Sequence, residues 1–187
     1  MKRYLTIATI IFIIMSCKSG NTKENSAFND LNEDTLNQPD QSNYDQSKQT
    51  DLNYIGDLSL GMTAKQITNK LGEPVSKSKE ELWGADGLQH QDWEYKAKGI
   101  SLNMTRETAT SAMEVFSISI TNPCQFKTKK NIGIGSTYDE VMSTYAQEID
   151  TTASDENVIT VGSLYGGIII EFENNKVVSI FVGAAAE

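Results

Sequence analysis

Apolar and polar residues alternate along several segments of the chain, and this alternation predicts β-strands with one buried face. Ile100, Leu102 and Met104 alternate with Ser101 and Asn103, and later segments repeat the pattern. Strands of this kind bury one set of side chains and leave the other set on the opposite face of a sheet. The six predicted strands cover residues 91–95, 100–104, 116–120, 158–161, 168–172 and 178–182.

The alternation also predicts which side chains belong to each face. The expected core set is Ile100, Leu102, Met104, Phe116, Ile118, Ile120, Ile168, Ile170, Phe172, Val178, Ile180 and Val182. The expected outer set is Ser101, Asn103, Val115, Ser117, Ser119, Ile169, Glu171, Val177, Ser179 and Phe181. Between the last two strands, the Glu-Asn-Asn-Lys sequence at 173–176 predicts a tight hairpin turn.

Two short amphipathic helices are predicted, each ahead of a group of strands. Apolar residues recur at helical spacing after Thr63 and again after Thr137. Each threonine is followed three residues later by Gln66 or Glu140, which is the pattern of a capping box at a helix start. Gly72, followed by Glu-Pro, is expected to end the first helix.

The two helix-plus-strand segments resemble each other, which predicts an internal repeat of one unit. The two helix starts are 74 residues apart, the glycines Gly99 and Gly167 are 68 apart, and the last strands are 62 apart, so the length changes fall in loops. The predicted fold class is α+β, in which two copies, about 57–122 and 131–183, pack short helices on one face of an antiparallel sheet. Two unrelated helix-plus-strand segments are the alternative.

The N-terminal sequence predicts a lipoprotein signal. A basic start precedes a twelve-residue apolar run at 4–15, which is shorter than the roughly 20 residues of a membrane span. The following Ile-Met-Ser-Cys resembles the lipobox of bacterial lipoproteins, whose cysteine carries fatty acyl groups such as palmitate. We expect residues 1–16 to be removed as a signal peptide and Cys17 to be the lipid-attachment site. An ordinary secretory signal with an incidental cysteine is the alternative.

Composition divides the rest of the chain into a tether and a domain. Residues 17–53 are rich in Asn, Asp, Gln, Ser, Thr and Lys, so we expect a disordered tether there and a folded domain over 54–187. Without the signal, 14 basic residues stand against 25 acidic residues, a net charge of −11. This charge disfavours nucleic acid and anionic lipid as partners. Membrane attachment is therefore expected through the covalent lipid.

No motif of catalysis, cofactor binding or metal binding is recognisable in the sequence. Once Cys17 is acylated, Cys124 is the only thiol, and we expect it to be a partly buried structural residue. The single histidine, His90, lies in a separate polar stretch. We expect no enzyme activity, no cofactor and no metal ion. A small envelope hydrolase or a glycan-binding domain that uses Trp83, His90 and nearby carboxylates is the alternative.

The first copy carries a motif that resembles that of a known lipoprotein family. Leu-Gly-Met-Thr-x-x-Gln-Ile at 60–67 is followed by Gly-Glu-Pro at 72–74 and then by Trp93 and Tyr95. This pattern is similar to that of the SmpA/OmlA small lipoproteins and to the tandem fold of β-lactamase inhibitor proteins. The resemblance covers residues 57–183, although the second copy lacks Gly-x-Pro. It implies a protein-binding scaffold, and no functional residue transfers from it.

The outer set of strand residues is the predicted working surface, because it combines short polar side chains with apolar anchors. Trp83, beside a glycine-rich turn, is predicted to be an exposed aromatic residue. Coverage of this face by another element or by the tether, or a face that is merely solvated, is the alternative. The expected partner-binding residues are Trp83, Asn103, Ser117, Ile169, Glu171 and Phe181. We expect a lipid-anchored envelope protein, on the outer membrane, that binds another envelope protein without catalysis. A structural lipoprotein without a specific partner is the remaining alternative.

Overall fold

Most of the domain is built from strands whose alternating pattern is visible in the sequence. The computed structural model describes residues 51–185. The expected signal peptide, Cys17 and nearly all of the expected tether lie outside the described residues. The strands are β1 (Tyr54–Ile55), β2 (Leu58–Ser59), β3 (Ser76–Lys77), β4 (Glu81–Leu82), β5 (Gln89–Tyr95), β6 (Ile100–Arg106), β7 (Glu114–Thr121), β8 (Val158–Ser163), β9 (Gly166–Glu173) and β10 (Lys176–Gly183). The helices are α1 (Ala64–Leu71), α2 (Tyr138–Thr144) and a 3₁₀ turn, Lys96–Lys98.

Both α-helices begin at the predicted threonines. The Thr63 hydroxyl accepts a hydrogen bond from the Gln66 amide at 3.3 Å, and the Gln66 side-chain carbonyl accepts one from the Thr63 amide at 2.8 Å. Thr137 and Glu140 make the same reciprocal pair at 3.1 and 2.7 Å. These bonds satisfy amide groups that a helix start otherwise leaves without partners. The capping-box prediction is therefore confirmed at both helices.

An antiparallel sheet forms the body of the domain, and its strand order is β3-β5-β6-β7-β10-β9-β8, with β4 also paired to β5. The strands β5, β6 and β7 form one meander, and β8, β9 and β10 form another. The two meanders meet where β7 pairs with β10. The described fold is thus α+β, mostly antiparallel sheet with two short helices.

The β9–β10 hairpin turns where the sequence predicts it. Glu173 pairs with Lys176, and both intervening residues, Asn174 and Asn175, have positive φ angles of 49° and 59°. Positive φ at both central positions matches the right-handed twist of the flanking strands. Asparagine tolerates this backbone region better than most residues do, so the turn prediction is confirmed.

One face of the sheet carries the core. Leu102, Ile118, Ile120, Ile168, Ile170, Ile180 and Val182 are fully buried, as the alternation predicts. Helix residues Ile67 and Val141 join this core, and the Tyr138 ring meets the Phe172 ring edge-on at 5.1 Å between centroids. Leu52, which composition assigns to the tether, is only 7% exposed and belongs to the same core.

The predicted faces are wrong at four positions, because two strands contain β-bulges. The pairing of β6 with β7 shifts after Asn103, which buries Val115 with the core and moves Phe116 to a half-buried position. The pairing of β9 with β10 shifts after Val177, so Val177 is buried and Val178 is only half-buried. A bulge inserts one extra residue into a strand and so inverts the alternation beyond it.

The chain ahead of each helix is hydrogen-bonded to one of the two bulged strands. The Gly61 amide donates to the Val115 carbonyl at 2.8 Å, and the Gly135 amide donates to the Val177 carbonyl at 2.8 Å. The amides of Val115 and Val177 each donate back, at 2.9 Å, to the residue that follows the glycine. These bonds fix where each helix starts relative to the sheet.

Candidate docking surface

The sheet face opposite the core is called the outer face below. It carries short polar side chains, apolar side chains and several carboxylates. One cross-strand row runs through Glu94, Ser101, Ser119, Phe181 and Ile169, which are paired in that order from β5 to β9. Neighbouring strands lie about 4.8 Å apart, so this row spans roughly 19 Å. The outer face therefore offers a broad, shallow surface.

The sequence-predicted partner-binding residues all lie on or beside the outer face. Asn103 and Ser117 are paired on β6 and β7, and Ile169 and Phe181 are paired on β9 and β10. Glu171 is exposed opposite Ser179. Ser117 is only 8% exposed, so its own side chain offers little area to a partner.

Trp83 stands at one end of this face and is held by two other rings. It is 39% exposed, and its ring stacks on the His90 ring with centroids 3.6 Å apart and planes 7° from parallel. Phe116, displaced by the bulge, meets the His90 ring edge-on at 5.1 Å and the Trp83 ring edge-on at 6.4 Å. Edge-on and stacked ring pairs are favourable beyond their buried area. The three rings therefore fix the orientation of Trp83.

His90 is the support beneath Trp83 and is 2% exposed. Its Nδ1 lies 2.7 Å from Asn103 Oδ1, and its Nε2 lies 2.8 Å from Asp86 Oδ2. The Asn103 amide nitrogen donates to Asp92 at 2.8 Å, which is why its oxygen faces His90. Both ring nitrogens have hydrogen-bond partners within the protein, so this arrangement holds Trp83 in place.

The turn that carries Trp83 is closed by its own backbone and by Asp86. The Trp83 amide donates to the Leu88 carbonyl at 3.0 Å, and the Gly87 amide donates to the Trp83 carbonyl at 3.0 Å. The Leu88 amide donates to Asp86 at 2.9 Å. This amide bond, followed by the bond and charge of His90, lowers the pKa of Asp86.

Two pockets open on either side of Trp83. The apolar pocket has a volume of about 480 Å³ and is lined by Trp83, Phe116, Ser117, Phe181, Ala184 and Ala185. The polar pocket has a volume of about 250 Å³ and is lined by Ser78, Lys79, Glu81, Trp83, His90, Gln91, Asp92 and Asn103. Trp83 is thus a ridge shared by two pockets of different chemistry.

Three carboxylates of the outer face are held by neutral neighbours. Each accepts a hydrogen bond from a side chain on the adjacent strand, and none takes part in the salt bridges found within residues 51–185. The pairs are Asn103 to Asp92 at 2.8 Å, Ser101 to Glu94 at 2.9 Å, and Ser179 to Glu171 at 2.8 Å. A carboxylate has about four acceptor positions, so each keeps capacity for another donor.

Cys124 and His90 do not form a pair, since both His90 nitrogens bind other groups. Cys124 is buried, and desolvation raises the pKa of its thiol. In the described part of the chain, no three side chains of His, Cys, Asp or Glu are grouped so that they could bind a metal ion. Neither helix within 51–185 has the length and apolar character to cross a bilayer.

Sequence reasoning missed Phe116 and the support beneath Trp83. The alternation assigned Phe116 to the core, and no sequence signal locates the bulge that moves it. Asp86 and His90 are four residues apart beside a glycine turn, which is a weak signal for contact across a hairpin. Comparison with protein-family models, with curated proteins and with solved structures found no match to this chain.

Proposed function

We propose that this chain is a lipid-anchored, non-catalytic protein-binding module of the cell envelope that docks its partner on the outer face. The observation that carries the proposal is the Trp83 ridge, a half-exposed aromatic side chain that is held rigid between two open pockets. Aromatic anchors in pre-organised positions contribute a large share of binding energy at protein interfaces.

The side chains around the ridge favour binding of a partner over catalysis of a reaction. The serines of the row lose little conformational entropy on binding, whereas Phe181 and Ile169 add apolar area at its centre. The burial of His90 beneath Trp83 and the burial of Cys124 argue against the hydrolase alternative. Leu164 and Tyr165 are also exposed apolar residues. The Leu164 carbonyl accepts a hydrogen bond from the amide of Ala185, which lines the apolar pocket, so Leu164 and Tyr165 extend the apolar surface beyond that pocket.

The proposal includes membrane attachment through Cys17, and we expect the outer membrane. A single acyl chain binds a bilayer only marginally, whereas two or more hold a protein stably. Cys17→Ser should therefore leave an unprocessed or soluble precursor that takes up no radiolabelled palmitate. Label entering the Cys17→Ser protein at the wild-type level would refute the anchor.

The proposal also includes the tandem repeat and the resemblance to SmpA/OmlA and β-lactamase-inhibitor-protein scaffolds. The hydrogen bonds before the two helices support it, because Gly61 and Gly135 are 74 residues apart while their partners Val115 and Val177 are 62 apart. Both partners stand at a bulge. The helix-start motifs of the two copies are also 74 residues apart in the sequence, and the last strands are also 62 apart. The helix starts and the bulges therefore occupy equivalent positions in the two copies.

The docking proposal is tested by capture from solubilised envelope with the full chain as bait. We expect Phe181→Ala and Trp83→Ala to remove the captured partner, while circular dichroism shows that the domain stays folded, because both residues lie outside the helix-side core. Val75→Ala is the control, since Val75 is 71% exposed and lines neither pocket beside Trp83. Capture that survives both pocket variants would refute docking on this face.

Glycan binding is the second candidate, and the polar pocket favours it. An aromatic wall beside carboxylate and amide groups suits a sugar ring with its hydroxyl groups. The two candidates differ in their dependence on Phe181, which lines only the apolar pocket. An oligosaccharide that binds the wild type and Phe181→Ala equally well, and that Trp83→Ala loses, would establish glycan binding instead.

A further inference from the structure

We propose that the partner segment received by the outer face is basic, with an apolar side chain in the apolar pocket and lysine or arginine side chains on the carboxylates around it. This inference rests on the proposed docking function and names the chemistry of the partner. It starts from the apolar pocket between Trp83, Phe116 and Phe181, which needs an apolar occupant, and uses the surrounding charges to decide what carries that occupant.

The carboxylates lie on strands to either side of β7 and β10, the strands that carry Phe116 and Phe181 of the apolar pocket. Asp92 and Glu94 are on β5, and Glu171 is on β9, four strand steps away in the order β5-β6-β7-β10-β9. At about 4.8 Å per step, the two sides are roughly 20 Å apart. An extended peptide rises about 3.3 Å per residue, so about six residues span this distance. Basic residues at both ends of such a segment would flank an apolar residue at its centre.

The polar pocket adds a second place for a cation. Glu81 and Asp92 line it together with the Trp83 ring, and Lys79 is the one positively charged lysine or arginine side chain that lines it. Asp86 does not line this pocket and already hydrogen-bonds His90 at 2.8 Å. An ammonium or guanidinium group is attracted both to carboxylates and to an aromatic face. A lysine or arginine of the partner therefore fits between Trp83 and the two carboxylates.

Charge also argues against the other occupants of this face. The full chain has a net charge of −9, so a second copy would bring acidic surface against acidic surface. Nucleic acid and anionic lipid are repelled in the same way. Electrostatic complementarity governs association rate and partner choice more than total affinity, so a basic partner should be recognised in a salt-dependent manner.

The test uses the full chain in nonionic detergent and a short fluorescein-labelled peptide with a Leu-Phe centre and two lysines on each side. Fluorescence anisotropy would measure its binding between about 50 and 500 mM NaCl, a range over which screening of exposed charges increases strongly. Peptides with glutamate or glutamine in place of lysine serve as charge controls. We expect the lysine peptide to bind at least about tenfold more tightly than either control at low salt, and to lose this advantage at high salt.

Two charge variants of the protein locate the effect. The first carries Asp92→Asn, Glu94→Gln and Glu171→Gln, which keep an acceptor for each neighbouring side chain. The second removes the same charge elsewhere, by Asp57→Asn, Asp139→Asn and Glu156→Gln at exposed positions. We expect the first variant to lose about tenfold in affinity for the lysine peptide and the second to lose less than about twofold.

Equal affinity of the two charge variants, or equal binding of the lysine and glutamate peptides, would overturn the inference. Failure of the docking function would give a different result. If Phe181→Ala and Trp83→Ala leave envelope capture intact, docking itself is wrong. If those variants abolish capture while the outer-face charge variant retains it, docking stands and the basic partner is wrong. Self-association that the outer-face charge variant strengthens would instead identify a second copy as the occupant and refute a basic partner.

Discussion

Replacing Ile118 or Ile180 by alanine should destabilise the domain strongly and to a similar extent. Both side chains are fully buried on the core face, Ile118 on β7 and Ile180 on β10. Each change removes three carbon atoms, and at about 0.8 kcal/mol per methylene the lost transfer free energy is roughly 2.4 kcal/mol. The cavity left behind adds to this loss, so the free energy of unfolding should fall by about 2–5 kcal/mol.

Urea unfolding of the full chain, followed by far-ultraviolet circular dichroism, measures this loss. With a slope near 2 kcal/mol per molar urea, the midpoint should drop by about 1–2.5 M while the slope stays constant. Ser119→Ala and Ser179→Ala are the controls, since both serines lie half-exposed on the outer face of the same strands. They should change the unfolding free energy by less than about 0.5 kcal/mol. Equal losses for the isoleucine and serine variants would show that the two faces are wrongly assigned.

Three further changes test the local structure. Thr63→Ala and Thr137→Ala should each lower the free energy of unfolding by about 1 kcal/mol in thermal denaturation, because each removes a helix cap. Serine at the same positions should keep most of the stability that alanine loses. Alanine variants as stable as the wild type would contradict the capping role. Gly167→Ala should destabilise by about 1–3 kcal/mol, since a Cβ there would overlap the backbone of the paired strand, whereas Gly84→Ala, which meets no neighbour within 4 Å, should be tolerated. Burial raises the pKa of Tyr95 to about 12, so the contribution of the Tyr95 hydroxyl to stability should be present below about pH 10 and lost as the pH rises toward 12. In Tyr95→Phe, the free energy of unfolding should fall less steeply between these two pH values. The same fall in Tyr95→Phe and in the wild type would contradict the raised pKa.

The site was partly predictable from alternation. Asn103, Ile169, Glu171 and Phe181 follow the regular period of their strands, and the structure places them on the outer face. Phe116 escaped prediction because a bulge is a property of two paired strands. The bulge that displaces Phe116 arises from the register in which β6 pairs with β7. The residues of one strand alone do not specify that register.

The arrangement around Trp83 shows the same division. A glycine-rich turn next to tryptophan indicates an exposed aromatic residue, and Trp83 is indeed half-exposed. Its rigidity comes from His90 beneath it, a residue that a polar sequence context places at the surface. Pairing of β5 with β6 brings Asn103 beside His90, and the hairpin turn brings Asp86 to its other nitrogen. Burial of a polar ring is tolerated when both nitrogens have partners.

Local sequence alone determined the helix starts, the Asn-Asn hairpin turn and most of the alternating strand faces. Those features depend on backbone preferences and hydrogen bonds between residues a few positions apart, which are legible in a single chain segment. Tertiary structure decided the meeting of β7 with β10, the two bulges and the pockets on either side of Trp83. Those features require segments distant in sequence to lie side by side, and their geometry follows from packing and strand register rather than from local preference.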